Sequence, residues 1–161
     1  MHKRAMIAII CFVVVIAVAL ICVIPRFQPV DATMQAAKFN GKGESVGTYE
    51  VTIRGNRKGY LFGKDFLELS VSPFDDLTGF FSDGEIRTLP GDGAEYILYT
   101  AINENTQDVV TVEFVFTSDM DRWLFLNVTE QSYYVASVDG KYSTQELLEF
   151  FQSLIPSNWA Q

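Results

Sequence analysis

Histidine and cysteine are almost missing from this sequence. The single histidine is His2, and both cysteines, Cys11 and Cys22, precede Pro25. From Pro25 onward, Ser-His-Asp and Cys-His nucleophile systems therefore cannot be assembled. A zinc site with histidine or cysteine ligands is excluded on the same ground, and without a disulfide framework burial alone must hold the fold. There is no phosphate-cradling Gly-rich loop followed by Lys and Ser or Thr, no internal repeat and no low-complexity tract. Positive charge is scarce: 12 Lys and Arg stand against 20 Asp and Glu, a net charge of −8. All the acidic residues lie beyond Ile24, which argues against nucleic acid as a partner.

What is abundant at the N-terminus is apolar surface. Ala5 to Ile24 is apolar throughout, with no charge, proline or glycine, and about twenty residues at 1.5 Å rise give roughly 30 Å, the thickness of a bilayer's hydrocarbon core. Lys3 and Arg4 precede this run, whereas Arg26 and then Asp31 follow it, so the positive-inside rule keeps the N-terminus in the cytoplasm. The expectation is an uncleaved signal-anchor. It comprises a cytoplasmic stub (1–4), one transmembrane α-helix (5–24) and a domain outside the plasma membrane. The alternative is a cleaved secretory signal with Val30-Asp31-Ala32 as the cleavage site and a secreted product. A lipid-modified cysteine needs a small residue before it, and Ile10 and Ile21 stand there instead. Ala8, Cys11, Val15, Val18 and Cys22 recur at about 3.5 residues. They are a candidate helix-pairing seam or simply small hydrophobes facing lipid, with no essential thiol chemistry.

The remainder is long enough for one domain with its own core. Residues 25–45, with Pro25, Pro29, Gly41 and Gly43, are expected to be a linker with a candidate short helix over 32–39 begun by Asp31. The extracytoplasmic domain is then 46–161. Arg26, Lys38, Lys42, Arg54, Arg57 and Lys58 crowd its membrane-proximal third, either toward anionic lipid or in local ion pairs.

From Gly47 the pattern alternates. Tyr49, Val51 and Ile53 oppose Thr48, Glu50 and Thr52, a half-buried strand, and Gly55-Asn56-Arg57-Lys58-Gly59 reads as a turn. Further strands are expected over 60–62, 66–72 and 85–89, with Phe80-Phe81 a short aromatic piece. Turns are expected at Asp75-Asp76, Ser82-Asp83-Gly84 and Pro90 to Gly93. Residues 94–102 and 109–117 read as a hairpin, and 122–129 and 132–138 as its antiparallel neighbours. The period then changes to that of a helix over 143–155. Ser143 and Glu146 form a capping box, Leu147, Leu148, Phe151, Leu154 and Ile155 form one face, and Pro156 is the stop. Its apolar face is expected to cover the open face or mouth of the sheet. The fold class is thus mainly β (α+β): an antiparallel meander or partly closed barrel of about 7–9 strands, covered by one C-terminal amphipathic helix.

Carboxylates remain. Asp75, Asp76, Asp83, Glu85, Asp119 and Asp121 are available for an acid-base pair or a calcium site, but they lack EF-hand spacing and sit in turn chemistry. No catalytic, cofactor or metal residue is assigned. Asn127-Val128-Thr129 matches the glycosylation acceptor pattern inside an expected strand. Fifteen aromatics from Tyr49 to Tyr134 either line a binding surface or fill a core beneath the helix.

Gly47-Thr48-Tyr49 at the first strand, antiparallel strands and a late helix together resemble the lipocalin-like barrels, in which Gly-x-Trp opens the first strand and a helix packs on the barrel. Here Tyr replaces Trp. The resemblance implies a barrel that binds an apolar small molecule or lipid. Three roles follow: a non-enzymatic interaction or accessory domain at the cell envelope, meeting a protein partner or a second copy of itself; the apolar-ligand barrel; and a carboxylate-dependent hydrolase.

Overall fold

The structure, a computed structural model, describes residues 2–72, 77–81, 84–89, 93–103 and 108–156, with backbone alone for 2–5, 8, 77–81 and 101–103. The expectations at Pro73 to Asp76, Asp83 and Pro90 to Asp92 lie outside the described residues.

Helix α1 spans His2–Val23. Its described side chains from Met6 onward are exposed, apart from a half-buried Cys22. Among the described residues no helix is long and apolar enough to cross a membrane, so the structure does not support the transmembrane helix expected over 5–24.

The strands are β1 (Arg26–Asn40), β2 (Ser45–Gly59), β3 (Phe66–Ser72), β4 (Leu77–Phe81), β5 (Arg87–Thr88), β6 (Ala94–Asn103), β7 (Val109–Thr117), β8 (Arg122–Asn127) and β9 (Ser132–Ser137). They form one sheet in the order β3-β2-β1-β9-β8-β7-β6-β4, with β5 paired to β6, and each pairing is antiparallel. The mainly β architecture and the hairpin of 94–102 with 109–117 therefore stand. The meander holds within β1-β2-β3 and within β6-β7-β8-β9, and it is broken where β1 pairs β9 and where β4 pairs β6.

Three expectations are corrected. Within 25–45, expected to be a linker with a short helix over 32–39, residues Arg26–Asn40 form strand β1. Its Ala, Met, Gln and Lys favour a helix in isolation, but pairing with β2 from Arg26↔Gly59 to Phe39↔Ser45 overrides that preference. Val30, Met34 and Ala36 then alternate into the core. The turn expected at Gly55 to Gly59 is the continuation of β2. Gly55 is needed there because a Cβ would sit 1.8 Å from the Glu68 carbonyl oxygen, the close backbone approach for which a strand glycine is suited. The piece expected at Tyr60 to Phe62 is instead the loop between β2 and β3.

The sheet curls into a half-barrel. On its inner face Tyr99, Phe114, Phe116, Trp123 and Phe125 run across β6, β7 and β8. Phe114 lies opposite Phe125 and Phe116 opposite Trp123, with ring centroids 5.5 and 5.0 Å apart, a cross-strand aromatic ladder. Met120 turns the chain between β7 and β8 at φ 59°, and its carbonyl accepts the Trp123 indole N–H at 2.8 Å. The far edge folds back onto this core. The Tyr99 hydroxyl donates to the Leu67 carbonyl at 3.0 Å and accepts the Leu69 N–H at 3.1 Å, tying β6 to β3 across the curl.

The outer face carries a second core. Helix α2 (Thr144–Phe151) keeps the expected capping box between Ser143 and Glu146, and buries Leu147 and Phe151 on Val115, Leu124, Leu126 and Val135. It therefore covers the back of β8 and β9 rather than an open mouth. Among the described residues the buried aromatics of this core are Phe39, Tyr133 and Phe151, and the larger aromatic set lies inside the curl. Arg122 fixes the helix by stacking on Tyr142 and Phe150, 3.9 and 4.5 Å from their ring centroids.

Candidate binding groove

The β1–β2 turn is built by one side chain. The Asn40 Oδ1 accepts the N–H groups of Lys42 and Glu44 at 3.0 and 2.9 Å, and its Nδ2 donates to Glu44 at 2.7 Å. Gly43 takes φ 77°, a value that suits glycine. Beneath the turn Tyr133 stacks on Phe39 with centroids 5.2 Å apart, and burial raises its hydroxyl above the usual tyrosine pKa.

Between this turn and the C-terminal end of α2 lies a groove of about 490 Å³. Tyr133, Leu148, Ile155 and Pro156 form its apolar walls, and Lys42, Glu149 and Gln152 its rim. A mostly apolar concavity with a few polar groups at its margin is the usual form of a binding site. The sequence holds a partial signal: Leu148 and Ile155 recur on the helical face, but Phe151 turns inward while these two remain half-buried.

The candidate carboxylates do structural work. Asp119 accepts from the Thr117 hydroxyl at 2.5 Å and from the Asp121 N–H at 3.2 Å; the Thr117 hydrogen bond is the main cause of its lowered pKa. Asp121 pairs with Lys141, and Glu85 with Lys64 at 2.6 Å. Among the described residues no group of three His, Cys, Asp or Glu is placed to hold a metal ion. Asp75, Asp76 and Asp83 lie outside the described residues. Asn127 is buried, and its Oδ1 accepts the Glu130 N–H at 3.0 Å.

The basic residues are drawn into local pairs. Arg54 meets Asp31 at 3.5 Å, Lys58 meets Glu68, and Arg57 bridges Asp65 and Glu95. Lys38 instead lies near the rings of Tyr134 and Tyr49, 5.1 and 5.9 Å from their centroids. Burial opposes its charge, yet the hydrogen bond and the charge interaction with Tyr134 raise its pKa overall. Of the N-terminal residues, Arg26 is exposed at the start of β1. Cys11, Val15 and Val18 are exposed on α1, and Cys22 is half-buried. The side chains of Lys3, Arg4 and Ala8 lie outside the described residues. Comparison with known proteins finds no matching family model, no matching curated protein and no matching solved structure.

Proposed function

We propose that this chain is a non-enzymatic interaction module held at a membrane by α1, with the groove between α2 and the β1–β2 turn as its docking surface. The observation that carries the reading is the groove's apolar lining, left half-open beside a rigid turn while the rest of that face is closed by Leu147 and Phe151. Its position supports the reading as well. β1 starts three residues after α1 ends and runs 15 residues to the groove, so about 45 Å of strand separates the two. The anchoring part rests on α1 being apolar around its whole circumference, because a helix of that kind is normally buried in lipid or a larger core. Lys3 and Arg4 orient it, with the domain outside the plasma membrane. The occupant of the groove is an envelope protein or a second copy of the chain.

The test places a photo-crosslinking side chain at Gln152 of the full chain in intact membranes. The expected result is one discrete adduct, lost in Leu148→Glu while the far-ultraviolet spectrum is unchanged. No adduct, or an adduct indifferent to Leu148→Glu, overturns the groove's role.

A second reading is favoured by the curl of the sheet, which is compatible with a lipocalin-like binding domain. In that case an apolar small molecule is the occupant. Native mass spectrometry of the gently purified chain separates the two, since a reproducible added mass that solvent extracts belongs to the ligand-binding form.

A further inference from the structure

The loop between β2 and β3 holds its largest apolar side chains outward. Leu61 is 49% exposed and Phe62 75% exposed, and Phe27 near the start of β1 is 63% exposed. The loop is nonetheless well tied. Asp65 accepts the Tyr60 N–H at 3.3 Å and the Arg57 guanidinium at 2.9 Å. Tyr60 meets Phe66 edge to face at 6.1 Å, and Gly63 turns the tip at φ 139°. Outward apolar side chains on a fixed loop are costly in water.

The pairing register locates this tip. Arg26 lies opposite Gly59 and Phe27 opposite Lys58, so Leu61 and Phe62 follow directly from the strand end that adjoins α1. From Val23 to Arg26 there are three peptide steps, at most about 11 Å. The exposed Val23 and Ile24, Phe27, Leu61 and Phe62 thus gather at one end of the domain. The neighbouring cations Lys58 and Lys64 are paired with Glu68 and Glu85. Arg26 adds one exposed cation beside Phe27, so the surface is mainly apolar, unlike a polybasic site for anionic lipid.

We propose that Phe27, Leu61 and Phe62 form a foot that inserts into the interfacial layer of a bilayer and fixes the tilt of the domain on it, as interfacial aromatics do. This rests on the anchoring reading of α1. The occupant is lipid, and neutral lipid suffices.

The test uses the full chain with Cys11→Ala and Cys22→Ala, reconstituted in phosphatidylcholine vesicles containing acyl-brominated phosphatidylcholine. A nitrobenzoxadiazole probe is attached at Phe62→Cys. The comparison site is Val46→Cys, an exposed apolar position (52% exposed) at the opposite end of β2. The expected result is quenching at residue 62 several-fold stronger than at residue 46, with retention of the chain after alkaline washing. Retention with equal quenching at the two sites overturns the foot alone. Release of the chain by the wash overturns the anchoring reading and the foot with it.

Discussion

At the scale of single residues, the polar groups least at ease show where the fold bears a cost. Glu113 lies on the outer face of β7, opposite Leu98 and Leu126, and burial raises its pKa above the usual 4.5. Below that value the carboxyl is protonated in folded and unfolded chains alike, and it costs nothing. As pH rises through and beyond it, the unfolded chain ionises first, so stability falls. Glu113→Gln should therefore raise the thermal midpoint at pH 7, and the gain should vanish below about pH 4.5. Melting curves of both proteins across that range check the sign. Gly55 shows why single residues were only half-legible. A glycine beside Asn, Arg, Lys and another glycine has the composition of a turn. Its other use, admitting the backbone of a neighbouring strand, leaves no mark in a local pattern. Asp119 was legible, since turn chemistry and the hydrogen bonds it makes agree.

Between elements, the closure of the half-barrel depends on Arg57. From β2 it donates to both Glu95 oxygens on β6, at 2.8 and 3.1 Å, and to Asp65 at 2.9 Å, a bidentate arrangement suited to a guanidinium. The Arg57 and Glu95 side chains are only 15% and 13% exposed. Arg57→Ala would leave Glu95 shielded and unpaired, at an expected cost of about 3 kcal/mol. The double variant Arg57→Met, Glu95→Leu should recover much of this loss, because it leaves neither charge stranded. Urea titrations of the single and double variants check both statements. Such a latch was invisible beforehand, as the two residues are 38 apart in sequence. Strands β6 to β9 were legible from their β-branched and aromatic runs. The absence of alternation in β8 also anticipates its burial on both faces. Helix α2 announced itself through its capping box. Strand β1 did not, because its helix-favouring residues are overruled by a partner that local patterns cannot name.

Taken as a whole, the molecule is a sheet wrapped around one aromatic core and backed by a second under α2. The antiparallel layout, the partial closure of the sheet and the late helix were legible. Which strands meet across the curl was not, since the contacts of Tyr99 on β6 with β3 are ones that no pattern of alternation encodes. One boundary has a practical meaning. A chain cut after Val30-Asp31-Ala32 begins at Thr33 and keeps every strand from β2 onward, but it discards Val30 and the pairing of β1 with β2 from Arg26↔Gly59 to Ala32↔Ile53. A fragment from Arg26 should unfold cooperatively in urea, with a midpoint well above that of a fragment from Thr33. Circular dichroism of the two decides it.

Strand β1 is among the first elements of the chain, yet it is zipped to β9, from Ala36↔Ala136 to Asn40↔Ser132. About ninety residues must leave the ribosome between them, which at 5–20 residues per second takes roughly 5–20 s. Throughout that interval the early β1–β2 ribbon has one flank unsatisfied, and a topology so non-local closes slowly once complete. The period of greatest exposure to wrong partners thus falls during synthesis, and α1, emerging before any of the strands, is a segment through which the cell can take hold of the chain before it has folded.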